Sequence, residues 1–131
     1  MTTVSVSPDR GTTAAPARLL QLDGALCAAM GTAMGTASGA VSDLLGTDAT
    51  GVVRVVGIAL ALYGVALFAS ARTSRAPQIL KAAGIGNLGW EVGSLAVAAL
   101  ADLSTTGRVL VAVQGLAVGA LAVVQLRASR R

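Results

Sequence analysis

The sequence is poor in the residue types that most active sites need. Its 131 residues include no histidine and a single cysteine, Cys27. One thiol cannot form an intrachain disulfide, and without histidine it cannot complete the usual ligand sets for zinc, haem or iron–sulfur clusters. The chain also has no nucleophile–base pair and no phosphate-binding loop. We therefore expect no metal, no cofactor and no enzymatic activity.

Aromatic and charged residues are scarce as well. Tyr63, Phe68 and Trp90 are the only aromatic residues, so we expect no aromatic cage, and the many alanines and glycines predict little room for a large ligand cavity. Nucleic-acid binding is not expected, because the basic residues form no stripe and bases would have no aromatic platform. Charged residues make up 12% of the chain and hydrophobic residues 54%. A soluble domain has roughly 25% charged residues, so this composition indicates a membrane protein.

Four apolar segments predict four membrane-crossing helices. They lie near residues 19–41, 52–71, 80–101 and 106–126, and each has about the 20 residues that cross the ~30 Å hydrocarbon core. Backbone groups in lipid must bond internally, which requires helices. Because the links are short, residues 18–127 are predicted to form an all-α, integral membrane four-helix up-down bundle. Residues 1–17 are predicted to be a disordered tail, and residues 128–131 a basic tail.

The basic residues predict the orientation of the bundle, because cytoplasmic loops retain lysine and arginine. Eight of the ten flank one end of the spans: Arg10, Arg18, Arg72, Arg75, Lys81, Arg127, Arg130 and Arg131. Only Arg54 and Arg108 flank the other end. Both termini are therefore predicted to be cytoplasmic, in a bacterial inner membrane. The alternative that the first segment is a signal peptide is disfavoured by Asp23 and by three regularly spaced glycines within the run.

Small residues four positions apart predict close contacts between helices. Cys27, Gly31, Gly35 and Gly39 form such a row in the first span, and Gly115 and Gly119 repeat the spacing in the fourth. Rows of this kind let two helix backbones approach closely and gain van der Waals contact. We expect both rows to pack within the bundle. Association with a second copy or with another membrane protein is the alternative.

Polar residues inside the spans predict two buried clusters. In the third span they share one helical face, which comprises Asn87, Trp90, Glu91 and Ser94. Polar faces in a membrane turn away from lipid, and depth can be counted at about 1.5 Å per residue. This count predicts a cluster of Asp23, Asn87 and Gln125 near the cytoplasmic edge. A second cluster, of Glu91, Gln114 and Tyr63, is predicted near the middle of the membrane.

Glu91 is the only charged residue between Ala82 and Ala101. A carboxylate at the centre of a bilayer costs on the order of 2–3 kcal/mol or more, and burial favours its neutral form. We therefore expect Glu91 to donate a hydrogen bond, with Gln114 the predicted acceptor. Two interpretations remain open. Glu91 and its neighbours either hold helices together or form a site that binds protons or a substrate.

The polar pattern also supports a resemblance. It comprises Leu22-Asp23-Gly24, Asn87-x-x-Trp90-Glu91-x-x-Ser94, and Gln114 followed by Gln125. This pattern, over about residues 18 to 127, resembles small four-span proteins that are common in actinobacteria and described only as integral membrane proteins of unknown function. The resemblance implies a four-helix membrane protein and carries no known activity.

Two functions are consistent with these patterns. The first is a structural or accessory protein of the inner membrane that acts through helix–helix contacts. Its partners would be the lipid bilayer and either a second copy or another membrane protein. The alternative is a proton-coupled transporter of small solutes, with Glu91 as the coupling acid.

Overall fold

The chain folds into helices throughout the part that its computed structural model describes, residues 2–3 and 10–131. The helices are α1 (Arg10–Thr36), α2 (Ser38–Leu45), α3 (Thr50–Ser70), α4 (Ala76–Leu100) and α5 (Thr105–Ser129). There is no strand among these residues. The predicted all-α class is therefore confirmed.

The helical region is longer at both ends than the sequence predicts. Helix α1 begins at Arg10, so residues 10–17 are helical although they were assigned to the disordered tail. Alanine is the residue that most favours a helix, and three alanines surround Pro16, which lies inside α1. Residues 1 and 4–9 of the predicted tail lie outside the described residues. Helix α5 continues to Ser129, so the predicted basic tail begins as helix.

The first predicted span, residues 19–41, is bent rather than continuous. The bend lies at Ala37, whose φ of −114° and ψ of 36° separate α1 from α2. Just before it, the hydroxyl of Thr36 donates to the carbonyl of Thr32 at 2.7 Å. Such a bond competes for a backbone acceptor and bends helices, and Gly35 and Gly39 beside the bend weaken the helix further. The chain therefore changes direction before the turn at Gly46.

The turns at the other helix ends follow local sequence signals. Gly46 ends α2 in the left-handed conformation, with φ at 65°, where a Cβ atom would also collide with Ser104. Ser104 caps α5, because its hydroxyl accepts from the backbone N–H of Gly107 at 3.0 Å. Pro77 lies in the first turn of α4, where its missing N–H costs nothing.

The five helices are organised as two tightly packed pairs. Helix α1 packs antiparallel against α3, and α4 packs antiparallel against α5, whereas contacts between the pairs are few. The consecutive helices α3 and α4 barely touch, which the prediction of an up-down bundle of sequential neighbours did not anticipate. In the α1–α3 pair the two backbones approach closely at glycines, whereas in the α4–α5 pair Gly84, Gly115 and Gly119 accommodate side chains of the facing helix.

The two pairs are joined at both ends. At the end near the α3–α4 turn, α1, α3 and α4 share an apolar core of Leu20, Leu67, Ala71, Ala76, Leu80 and Ala83. At the opposite end, the backbone N–H of Ser104 donates to the carbonyl of Leu45 at 3.0 Å. This bond ties the α2–α3 turn to the α4–α5 turn. The space between the pairs is therefore closed at both ends and open in the middle.

Apolar side chains lie mostly on the outside of the molecule. Leu62, Val92 and Leu100 are each more than 60% exposed, and large exposed apolar residues occur on every long helix. The buried side chains include six polar ones: Asp23, Ser38, Ser42, Asn87, Ser94 and Gln125. Two helices, α3 and α5, are long and apolar enough to cross a membrane. The polar residues of α1 and α4, such as Asp23, Asn87 and Glu91, make those helices less apolar.

Ser42 and Ser38 provide a matched pair for a stability test. Both are 1% exposed in α2, but Ser38 accepts a hydrogen bond from the Arg54 guanidinium at 3.2 Å. The Ser42 hydroxyl has no partner among the described residues. A buried unsatisfied hydroxyl costs about 1 kcal/mol or more, so Ser42→Ala should raise the free energy of unfolding in mixed detergent micelles. Ser38→Ala should lower it, and equal losses in both variants would contradict this assignment.

Candidate functional site

Three polar side chains from three helices meet inside the bundle. Asp23 of α1, Asn87 of α4 and Gln125 of α5 are 3%, 5% and 0% exposed. The amide of Asn87 donates to Asp23 Oδ2 at 2.8 Å and to Gln125 Oε1 at 2.9 Å. The amide of Gln125 donates to the same Asp23 oxygen at 2.7 Å. We call these three residues the Asp23 cluster.

The hydrogen bonds of the Asp23 cluster form a closed ring, but the two carboxylate oxygens of Asp23 do not accept equally. Both amides donate to Oδ2 of Asp23. Among residues 2–3 and 10–131, the other carboxylate oxygen, Oδ1, accepts only from the thiol of Cys27, at 3.4 Å. A thiol is a weak donor, so Oδ1 keeps most of its capacity to accept a hydrogen bond. Cys27, predicted to be a packing residue, thus also contacts the carboxylate of Asp23.

A second polar group joins α4 to α5 nearer the other end of the bundle. The indole of Trp90 donates to Gln114 Oε1 at 3.0 Å. The amide of Gln114 donates to the hydroxyl of Ser94 at 2.8 Å and to the carbonyl of Val111 at 2.9 Å. We call Trp90, Ser94 and Gln114 the Gln114 cluster. Its bonds align α4 with α5 and fix the orientation of the indole ring.

The predicted cluster of Glu91, Gln114 and Tyr63 is wrong in its membership. The amide group of Gln114 is taken up by Trp90 and Ser94, which lie on the same face as Glu91. The Glu91 carboxyl group lies over Gly119 of α5, in space that a side chain at that position would occupy. Tyr63 belongs to the other helix pair, is 39% exposed, and lies near Gly86 rather than near Glu91.

The predicted glycine row is correct at Gly31 but continues differently. A Cβ atom at Gly31 would collide with the backbone of α3 at Gly57 and Ala61. Gly35 has ordinary contacts, and a Cβ atom at Gly39, beyond the bend, would meet nothing within 4 Å. The second close approach of α1 to α3 is instead at Gly24, which faces Gly64.

In the contact between α1 and α3, the glycines recur every seven residues rather than every four. Gly24 and Gly31 are seven apart in α1, as are Gly57 and Gly64 in α3, and the two pairs face each other in antiparallel order. Seven residues make nearly two helical turns, whereas each step of four rotates the row by about 40°. Cys27 and Gly39 therefore leave the contact face. In α5, the predicted pair Gly115 and Gly119 does face α4, at Ser94 and Glu91.

Between the two helix pairs lies a cleft of about 680 Å³. Apolar side chains of α1, α3, α4 and α5 form most of its lining, among them Leu26, Met30, Leu60 and Leu121. Its polar lining consists of Asp23, Cys27, Tyr63, Asn87, Trp90 and Gln114. We call this space the central cleft. It corrects the expectation that so small and glycine-rich a bundle has little room for a ligand.

The central cleft has the properties of a small-molecule site. Such sites measure roughly 300–1,000 Å³, are mostly apolar, and carry a few convergent polar groups. Asp23 and Asn87 lie at one level of the cleft, and Trp90 and Gln114 at another. Within residues 2–3 and 10–131, no group of three or more histidine, cysteine, aspartate or glutamate side chains is placed to hold a metal ion. In volume and in lining, the central cleft therefore resembles the sites at which proteins bind organic molecules.

No protein-family model, curated protein or solved structure matches this chain. The resemblance to small four-span actinobacterial proteins thus stays a prediction. Fold and site chemistry alone define the class of the protein here, an all-helical bundle with a mostly apolar central cleft that a few polar side chains border.

Proposed function

We propose that this chain is a multi-pass protein of the bacterial cell membrane whose central cleft binds a small amphiphilic molecule. The observation that carries this proposal is the cleft itself, an apolar space bordered by buried polar side chains. A bundle with a purely structural role gains van der Waals contact by filling its interior. An open space of about 680 Å³ forgoes that contact, and a ligand would restore it.

The distribution of apolar surface supports four membrane spans. Soluble proteins rarely expose large continuous apolar patches, yet large apolar residues are exposed on α1 and α4 as well as on α3 and α5. The buried polar residues give the molecule the inverted pattern that lipid favours. With α1 and α2 together as the first span, the distribution of arginine and lysine supports a cytoplasmic location of both termini.

The single tryptophan gives a direct test, because Trp90 lines the central cleft. In lipid nanodiscs, a dibrominated medium-chain alcohol, which is a neutral amphiphile, should quench the fluorescence of Trp90 in a saturable manner. Ala117→Phe places a phenyl ring in the cleft lining and should abolish the saturable part. Ala120→Phe makes the same change at an exposed position of α5 outside the lining, and it should have no effect.

The accessory role, in which the protein acts only through helix–helix contacts, predicts a different result. Quenching would then rise linearly with the amount of alcohol in the lipid and would be equal in the wild type, Ala117→Phe and Ala120→Phe proteins. That outcome would overturn ligand binding and favour the accessory role.

The transport alternative gains no support at Glu91. The carboxyl group of Glu91 packs on Gly119 within the α4–α5 pair, and Glu91 is not part of the cleft lining. An acidic residue that couples proton movement to transport must contact the pathway of the solute, or bind a proton in alternation with the solute. Asp23 is the acidic residue that lines the cleft.

A further inference from the structure

We infer that the ligand of the central cleft is a lipophilic organic cation and that Asp23 is its counter-ion. This inference rests on the proposed function, because it specifies the charge of the amphiphile that the cleft binds. It is carried by the surroundings of one carboxyl group and by the position of two aromatic rings. Neither feature is explained by helix packing.

The first observation is that Asp23 is buried among neutral partners. It is 3% exposed, and its hydrogen-bond partners in the described chain are two amides and one thiol. A buried carboxylate is costly unless it is both hydrogen-bonded and paired with a positive charge. The amides supply hydrogen bonds to Oδ2, while Oδ1 has only the thiol of Cys27. The charge of Asp23 therefore lacks a cation.

The second observation concerns the basic residues nearest in the bundle. Arg18, Arg72, Lys81 and Arg127 lie toward the same end as Asp23, and all four are exposed. Lysine and arginine side chains in membrane proteins extend toward the headgroups, and none of these four is bonded to Asp23. A positive charge that reaches Asp23 through the cleft would have to come from a ligand.

The third observation is that two of the three aromatic residues line this cleft. Tyr63 on α3 and Trp90 on α4 both contribute to its walls. The hydrogen bond from Trp90 to Gln114 holds the indole in place. Aromatic faces attract cations, most strongly where water is excluded. The rings were expected to form no aromatic cage, but two helix pairs bring both to the same space.

The size and lining of the cleft define the rest of the ligand. A volume of about 680 Å³ accommodates a molecule of drug size. The mostly apolar lining disfavours a hydrated metal ion and accepts a hydrocarbon body. An organic ammonium or phosphonium ion with bulky apolar substituents satisfies the lining, the rings and the carboxylate together. An anion of the same size would be repelled by Asp23.

The test compares probes of similar size and different charge on the intact protein in nanodiscs. The probes are tetraphenylphosphonium, tetraphenylborate and the neutral triphenylphosphine oxide, with binding followed by equilibrium dialysis against empty nanodiscs. A charge-assisted contact and a ring–cation contact together are worth about tenfold or more in affinity. We expect the phosphonium ion to bind at least about tenfold more tightly than the neutral oxide, with no saturable binding of the borate.

Two variants assign the effect to Asp23. Asp23→Asn should weaken phosphonium binding by about tenfold and should weaken binding of the neutral oxide much less, so that the preference for the cation is lost. Because that change also disturbs the Asp23 cluster, the double variant Asp23→Asn, Asn87→Asp serves as a rescue. It moves the carboxylate from α1 to α4 within the same cluster and should keep phosphonium binding close to the wild-type value. Asp43→Asn, at an exposed position, is the matched control and should have no effect.

The outcomes separate this inference from the proposed function. Equal affinity for the phosphonium ion and the neutral oxide, both blocked by Ala117→Phe, would overturn the cation preference and leave amphiphile binding intact. The same holds if phosphonium binding survives Asp23→Asn undiminished. If no probe binds in a manner that Ala117→Phe abolishes, both ideas fail. If Asp23→Asn does not fold, the three probes on the wild type and the double variant still decide the question.

Discussion

Gly31→Ala should lower the free energy of unfolding by about 1–3 kcal/mol, the usual cost of forcing extra volume into a packed contact. The new methyl group would meet the backbone of α3 at Gly57 and Ala61, which cannot move aside as a flexible side chain can. Helices α1 and α3 would have to separate along much of their length. Unfolding in mixed detergent micelles, followed by circular dichroism, measures the change.

Gly39→Ala is the matched control for that result. Gly39 belongs to the same predicted row, but a Cβ atom there would meet nothing within 4 Å. Because alanine favours a helix over glycine by up to about 1 kcal/mol, this variant should be as stable as the wild type or slightly more stable. Equal losses at Gly31 and Gly39 would contradict the seven-residue contact and would instead support the four-residue row.

Asp23→Ala should lower the free energy of unfolding by about 2–3 kcal/mol, because it leaves two buried amide donors without their acceptor. The donors are Asn87 and Gln125, whose side chains are buried at 5% and 0% exposure. Interhelical hydrogen bonds in membrane proteins average only about 0.6 kcal/mol. The larger loss is expected here because one oxygen serves both donors. The same micelle unfolding assay applies.

Two further variants test whether the loss comes from the Asp23 cluster. Asp43→Ala removes a carboxylate at an exposed position and should change stability little. Replacing all three cluster residues together, as Asp23→Leu, Asn87→Leu and Gln125→Met, removes donors and acceptor alike. That triple variant should recover much of the stability lost in Asp23→Ala, since no buried polar group is then left unpaired. Additive losses from the three sites would show that the residues do not act as a unit.

Local signals in the sequence account for most of the helix positions. Helix α3 spans Thr50–Ser70 against a prediction of 52–71, and α5 spans Thr105–Ser129 against a prediction of 106–126. Hydropathy and capping signals depend only on residues close together in the chain, so they can be interpreted without knowledge of the fold. The bend at Ala37 was missed because it depends on a side-chain bond and on weak helix formers, neither of which lowers hydropathy.

The contacts between polar residues could be predicted only in part. Asp23, Asn87 and Gln125 are polar residues at similar depth in apolar helices, and the structure brings them together. The partner of Gln114 was assigned incorrectly, since Trp90, Glu91 and Ser94 share a face and a level within one turn. The choice among them depends on Gly119, whose missing side chain provides the space that Glu91 occupies.

The sequence by itself determined that this protein is helical, where α3, α4 and α5 lie to within a few residues, and which polar residues lie within apolar segments. These properties depend on neighbours along the chain. Only the tertiary structure decided that the helices form two pairs and that the central cleft remains between the pairs. It also decided that the distance between α1 and α3 is set by Gly24, Gly31, Gly57 and Gly64. A cleft depends on which faces of distant segments meet, and helical periodicity leaves several such pairings equally favourable until the side chains pack.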